Sequence, residues 1–259
     1  MATAVLVHGA WQGPWCWERL TPLLAASGHD AVTPTLTGSG SDTSRLTPDV
    51  DLATHVSDIT ATIRDLDDPT VVLVGHSYSG MVLPGVAEEV VDRLATVVFV
   101  DAFYPRDGDT AIGLMPEPFR ERFRSIAATD GDGWRLPASD ALLDVWGLDD
   151  PVERTWVGER LTDWSLTCFE TACHAPSGRI AGLPRRYVAG TKDCPSRAVF
   201  AEMARSARAD GCTITEARSG HDVMVEAPEV LADVLVDELD HLDRERKKFP
   251  DPPPRQDTR

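Results

Sequence analysis

Six short runs of apolar and β-branched residues punctuate the chain: TAVLVH (3–8), DAVTP (30–34), TVVLVG (70–75), ATVVFV (95–100), RRYVAG (185–190) and CTITEA (212–217). Most lack the apolar–polar alternation of a half-exposed strand. They read as strands buried on both faces, the pattern of a parallel sheet covered by helices. The stretches 15–27, 50–66, 78–91, 196–209 and 227–241 carry helical spacing instead. Strand and helix alternate. This predicts an α/β fold with a mostly parallel central sheet, helices on both faces and right-handed crossovers.

Residues 103–183 break that rhythm. They hold Pro105, Pro116, Pro118, Pro137, Pro151 and Pro176, with Trp134, Trp146, Trp156 and Trp164, and show no convincing strand. The segment reads as a helical insertion between two strands. At the C-terminal edge of a parallel sheet it would lie over the ligand crevice as a cap. The expected organisation is a first core part at 1–104, a cap at 105–183, a second core part at 184–243, and a charged, proline-rich and disordered tail at 244–259.

Composition narrows the chemistry. With 259 residues, 42% of them hydrophobic, the chain can bury one sizeable core. Its net charge of -17 repels nucleic acid and anionic membrane surfaces. Cys16, Cys168, Cys173, Cys194 and Cys212 form no CxxC pair, which argues against a disulfide framework and a zinc site. The N-terminus lacks the basic start of a signal peptide, and no apolar run is long enough to span a bilayer. A reducing cytoplasm is the expected setting, with no cofactor and no metal; a homodimer stays open.

The run at 70–75 ends in Gly75-His76-Ser77-Tyr78-Ser79-Gly80, a variant of the nucleophile elbow. There a strained turn between strand and helix presents a serine, and the residues two before and two after must be small. A serine hydroxyl needs a base near neutral pH. His221, in SGHDVMVEAPEVL, follows a strand and a turn and is the best placed. His29, His55 and His241 read as solvated surface residues, and His76 and His8 as structural ones. For the acid that orients the base, Asp193 lies just past a strand end and completes the order Ser77, Asp193, His221. Asp101, just after VVFV, is its rival; Asp222 should point away from its neighbour His221. LVHGAWQGPWCW (6–17) places His8-Gly9 after the first strand. The backbone N–H groups of Ala10 and Tyr78 would then form the oxyanion hole. Trp11, Trp134 and Trp164 are candidates for the substrate pocket.

With these motifs in view, VLVHGAWQGPWCWERLTPLLAASGHDAVTPTLTGSG, VVLVGHSYSGM and GHDVMVEAPEVL resemble the α/β-hydrolase superfamily. Within it they look like the plant methyl-ester esterases and hydroxynitrile lyases and their small bacterial esterase-like relatives. The resemblance covers the core, about residues 3–103 and 184–242, and implies the same triad, Ser77, Asp193 and His221, and the same oxyanion donors. The lyases carry threonine where this chain has Gly9, and lysine where it has Asp222; both absences favour the esterase branch. The expected activity is cofactor-independent hydrolysis of a small, apolar or aromatic carboxylic ester through an acyl-serine. Hydrolase-fold lyase, cyclase, decarboxylase or lactonase chemistry is the alternative, and a non-catalytic ligand sensor is a third reading.

Overall fold

The computed structural model describes residues 1–248. Six strands form one parallel sheet: β1 (Thr3–Val7), β2 (Asp30–Val32), β3 (Val71–His76), β4 (Leu94–Val100), β7 (Arg185–Gly190) and β8 (Thr213–Ala217). Their order across the sheet is β2-β1-β3-β4-β7-β8, every pairing parallel. All residues of β1 and β3 are buried, as unbroken apolar runs require, whereas the edge strands β2 and β8 are partly exposed.

Helices α1 (Thr21–Ala26) and α11 (Pro228–Lys248) pack together, as do α2 (Leu52–Asp65) and α3 (Val82–Val90), so the sheet is flanked on both faces. Asp51 caps α2: its carboxylate accepts the Thr54 N–H at 2.8 Å. Residues Ser77–Met81 form a 3₁₀ turn before α3, so Pro84 falls in the first turn of the α-helix, where its missing N–H has no intrahelical partner to lose.

Between β4 and β7 lie α4 (Ala111–Leu114), α5 (Glu117–Asp130), α6 (Ala141–Trp146), α7 (Pro151–Gly158) and α8 (Leu166–Glu170). Two short strands, β5 (Arg135–Leu136) and β6 (Trp164–Ser165), pair antiparallel with each other and add nothing to the central sheet. They escape the sequence pattern because two residues cannot display a period. After β7, α9 (Arg197–Ala209) leads to β8, and α10 (Val223–Glu226) to α11.

The start of the expected disordered tail is helical: residues 244–248 belong to α11, where Arg246 bonds the Asp68 carboxylate and the Thr70 carbonyl. Residues 249–259 lie outside the described residues. Among the described residues no helix is long and apolar enough to cross a membrane.

The register aligns the C-terminal strand ends. Val7 pairs with Gly75, His76 with Val100, Val100 with Val188, and Gly190 with Ala217. The segments that follow these strands therefore leave from one edge, and every candidate site residue outside the insertion is on one of them.

Candidate active site

Ser77 opens the turn after β3 with φ of 54°, a left-handed conformation costly for a side chain with a Cβ. The small neighbour Ser79 is fully buried and donates its hydroxyl to the His8 carbonyl at 2.5 Å, tying the elbow to the loop after β1. The place of the expected glycine is thus filled by a residue small enough to fit and polar enough to bond. Gly9 approaches so closely that a Cβ there would meet Ser77 Cβ and His76 Nδ1, each at 2.9 Å. Outside the hydrogen bonding within helices and strands, neither the Ala10 nor the Tyr78 amide donates to a backbone carbonyl among the described residues. The Tyr78 ring is anchored underneath by His55 Nδ1, 3.0 Å from its hydroxyl.

The structure brings Ser77 and His221 together: Ser77 Oγ lies 2.8 Å from His221 Nε2. On the other side of the ring, His221 Nδ1 lies 2.7 Å from Oδ2 of Asp101. The second Asp101 oxygen accepts the Gly190 N–H at 3.1 Å. The expectation of Asp193 as the partner is corrected by this geometry. After β7 the chain keeps pairing with the end of β8, through Thr191 N–H to Ala217 O and Lys192 N–H to Ser219 O, both 2.9 Å. That carries Asp193 past the centre to an exposed position. The loop bearing His221 crosses back over β7 instead. Gly190 makes the crossing feasible, since a Cβ there would sit 2.2 Å from the Gly220 carbonyl oxygen. His221 thus reaches the end of β4, next to β3, and meets Asp101.

Both members of the His221–Asp101 pair are buried. Burial pushes the imidazole of His221 down to about 3 and the Asp101 carboxyl up to about 8. The first shift keeps His221 neutral, as a base must be. The second is opposed by two N–H donors, from His221 and Gly190, which hold the ionised carboxylate.

Ser77 and His221 face a narrow cavity of about 50 Å³ walled by Trp11, Phe123, Trp146, Phe169 and Phe200, among others. Of the three tryptophans expected there, Trp11 is in the wall. Trp164 is buried against His55 and Tyr78, with ring centroids 5.2 and 5.1 Å away, and Trp134 is half-buried outside the wall. Trp146 takes their place, and its carbonyl accepts the His221 N–H at 2.8 Å. His29 and His55, expected at the surface, are buried.

Comparison with known proteins places the chain in a family. A model of the alpha/beta hydrolase family matches residues 4–234. A carbendazim hydrolyzing esterase of Nocardioides sp. is 35% identical over 247 residues, covering 91% of this chain and 98% of that protein. Methylesterase 2 of Arabidopsis thaliana is 38% identical, over 56% of this chain and 52% of that protein. Among solved structures, an extracellular alpha/beta-hydrolase from a Paenibacillus species superimposes with a TM-score of 0.80 at 22% identity, covering 92% of this chain and 99% of that one, a likeness of fold. With a parallel sheet in this order, a serine on the elbow, and a family match over nearly the whole core, the chain belongs to the alpha/beta hydrolase family.

Proposed function

We propose that this hydrolase cleaves a small carboxylic ester with an apolar or aromatic body, using Ser77 as nucleophile, His221 as base and Asp101 as the acid that orients it. The observation that carries the reading is the unbroken chain Ser77 Oγ, His221 Nε2, His221 Nδ1, Asp101 Oδ2, with links of 2.8 and 2.7 Å. Asp101 holds the ring proton on Nδ1, so the Nε2 lone pair points at Ser77. His221 takes the serine proton as Oγ attacks the ester carbonyl, and the Ala10 and Tyr78 amides receive the developing oxyanion. The imidazolium returns the proton to the leaving alcohol. Water, deprotonated by His221, then hydrolyses the acyl-serine and frees the acid.

The insertion between β4 and β7 serves as the cap. A second cavity of about 60 Å³ shares Trp11, Phe119, Phe123, Val145 and Trp146 with the one at Ser77. The two together suit an elongated, largely aromatic ester, and the esterase from Nocardioides, which acts on carbendazim, supports an aromatic substrate. The test is labelling with a fluorophosphonate and intact-mass measurement. One adduct is expected, absent in Ser77→Ala and accompanied by loss of turnover on aryl esters. Turnover without an adduct would overturn the acyl-serine mechanism.

A further inference from the structure

A second polar cluster lies behind the site and is buried throughout. Gln12, His76 and Asp222 are at most 1% exposed. Gln12 bonds the chain neighbour of Ala10, and His76 and Asp222 are themselves chain neighbours of Ser77 and His221. Gln12 Oε1 accepts the N–H of Gly9, next to Ala10, at 3.2 Å. His76 immediately precedes Ser77, and Asp222 immediately follows His221. Gln12 Nε2 donates to Asp222 Oδ1 at 2.8 Å. His76 sits between them, with Nδ1 at 3.0 Å from Gln12 Oε1 and Nε2 at 3.1 Å from the His221 carbonyl.

Counting donors bears on the protonation of this cluster. The Gly9 N–H can only donate, so the Gln12 oxygen faces it and the Gln12 NH₂ faces the carboxylate. His76 Nδ1 then meets an acceptor. Its Nε2 meets the His221 carbonyl, also an acceptor. A neutral ring has one N–H and would leave a lone pair against an oxygen; an imidazolium satisfies both. A counter-charge is in place, since Asp222 Oδ1 lies 3.8 Å from His76 Nε2, and Asp222 Oδ2 has no partner among the described residues. Moving the proton from His76 to Asp222 would keep the total charge but break a hydrogen bond, so the ion pair has the better geometry.

We propose that His76 is a positioning residue held as an imidazolium against Asp222, and that with Gln12 it sets the oxyanion loop, the elbow and the base as one unit. Burial acts against the charges, pushing His76 well below the ordinary histidine value and Asp222 up to about 7. The groups facing the pair are His221, with ring centroids 4.6 Å apart, and His8 on the histidine side. On the carboxylate side they are Glu226, Asp101, Glu153 and the buried Cys16 thiol. The protonation state stands on the hydrogen-bond geometry alone, whereas the positioning role rests on the Ser77 mechanism proposed above.

Two measurements test it. Two-bond ¹H–¹⁵N correlation on the labelled wild-type protein is expected to show one histidine with both ring nitrogens protonated between about pH 8 and 9, where an ordinary imidazole with a value near 6.5 is neutral, its signals missing in His76→Gln. A His76 ring with a bare nitrogen in that range overturns the proposal, and this readout needs neither activity nor a stable variant. Asp222→Asn keeps the acceptor for Gln12 but removes the counter-charge. It is expected to lose the doubly protonated signature and to lower kcat about 10²-fold by misplacing the reacting groups, with KM little changed. A lowered melting temperature with kcat intact would reduce the cluster to a structural role and overturn the positioning claim. If Ser77→Ala retained turnover while the imidazolium was present, the acyl-serine reading would fail and the protonation assignment would stand.

Discussion

The loops after β4 and β7 make an instructive pair. Each carries an aspartate just past the end of a central strand, Asp101 in one and Asp193 in the other. Asp101 is buried, held at φ of 39°, and bonded through both carboxylate oxygens. Asp193 is exposed and bonds to none of the described residues. Its neighbour Lys192 bonds the Gly147 carbonyl at 2.5 Å, Asp149 at 2.8 Å and Glu226 at 3.2 Å, which fastens the insertion to the core. One loop thus completes the site while the other clamps what lies over it. A carboxylate at a strand end becomes an orienting acid only if the base loop is folded toward it.

The comparison depends first on Ser77 being the nucleophile. Ser77→Ala is expected to lower kcat by about 10⁴-fold or more with the fold intact, checked by ester turnover and thermal melting. The aspartates themselves come next. Asp101→Asn removes the charge that fixes the His221 tautomer and is expected to cost about 10³- to 10⁴-fold in kcat, as in other serine triads. Asp193→Asn, at an exposed site, is expected to change kcat by no more than about twofold. The reverse ranking would place the acid on the β7 loop and contradict the geometry.

A pH–rate profile sharpens the same point. The active pair has Asp101 ionised and His221 neutral. A proton added to either leaves Nε2 without a free lone pair for Ser77, so activity rises as that proton is lost. The ordinary histidine value is about 6.5, and burial pushes Asp101 up to about 8. A single ionisation between the two is expected in kcat/KM. Because burial drives His221 itself down to about 3, the residual activity of Asp101→Asn should show no such rise. A small effect is expected at the clamp. Lys192→Met should raise KM about twofold to threefold and leave kcat nearly unchanged, since the lost bonds are those of a partly exposed ammonium.

Much of the frame was readable in advance. The unbroken β-branched runs of β1, β3 and β4 leave a strand buried on both faces as the natural reading, and the structure places the six expected strands within two residues of their sequence bounds. Gly75, Ser77 and Ser79 mark the elbow because small residues around one serine answer a local steric demand. His55 misled because its exposure depends on what covers α2, and its partners Tyr78 and Thr37 are 23 and 18 residues away along the chain. The pocket wall misled for the same reason. Trp146 and Trp164 lie in one proline-rich stretch, and packing alone turns the first toward Ser77 and the second under Tyr78.

Local rules of periodicity, turn sterics and charge act over a few residues, so the residue order was enough to reveal the α/β frame, the serine at the elbow and the histidine before the last helices. The choice between Asp101 and Asp193 acts over distances no local rule spans. It depends on β4 lying beside β3 in the sheet, on Thr191 and Lys192 extending the pairing of β7, and on a glycine at 190 that lets the 219–221 loop pass 2.2 Å from where a Cβ would be. The Gln12–His76–Asp222 cluster arises the same way, from residues 64 to 210 positions apart. Hydrogen bonds in a buried interior are made between whichever groups the chain path brings together, and that path is a property of the whole fold.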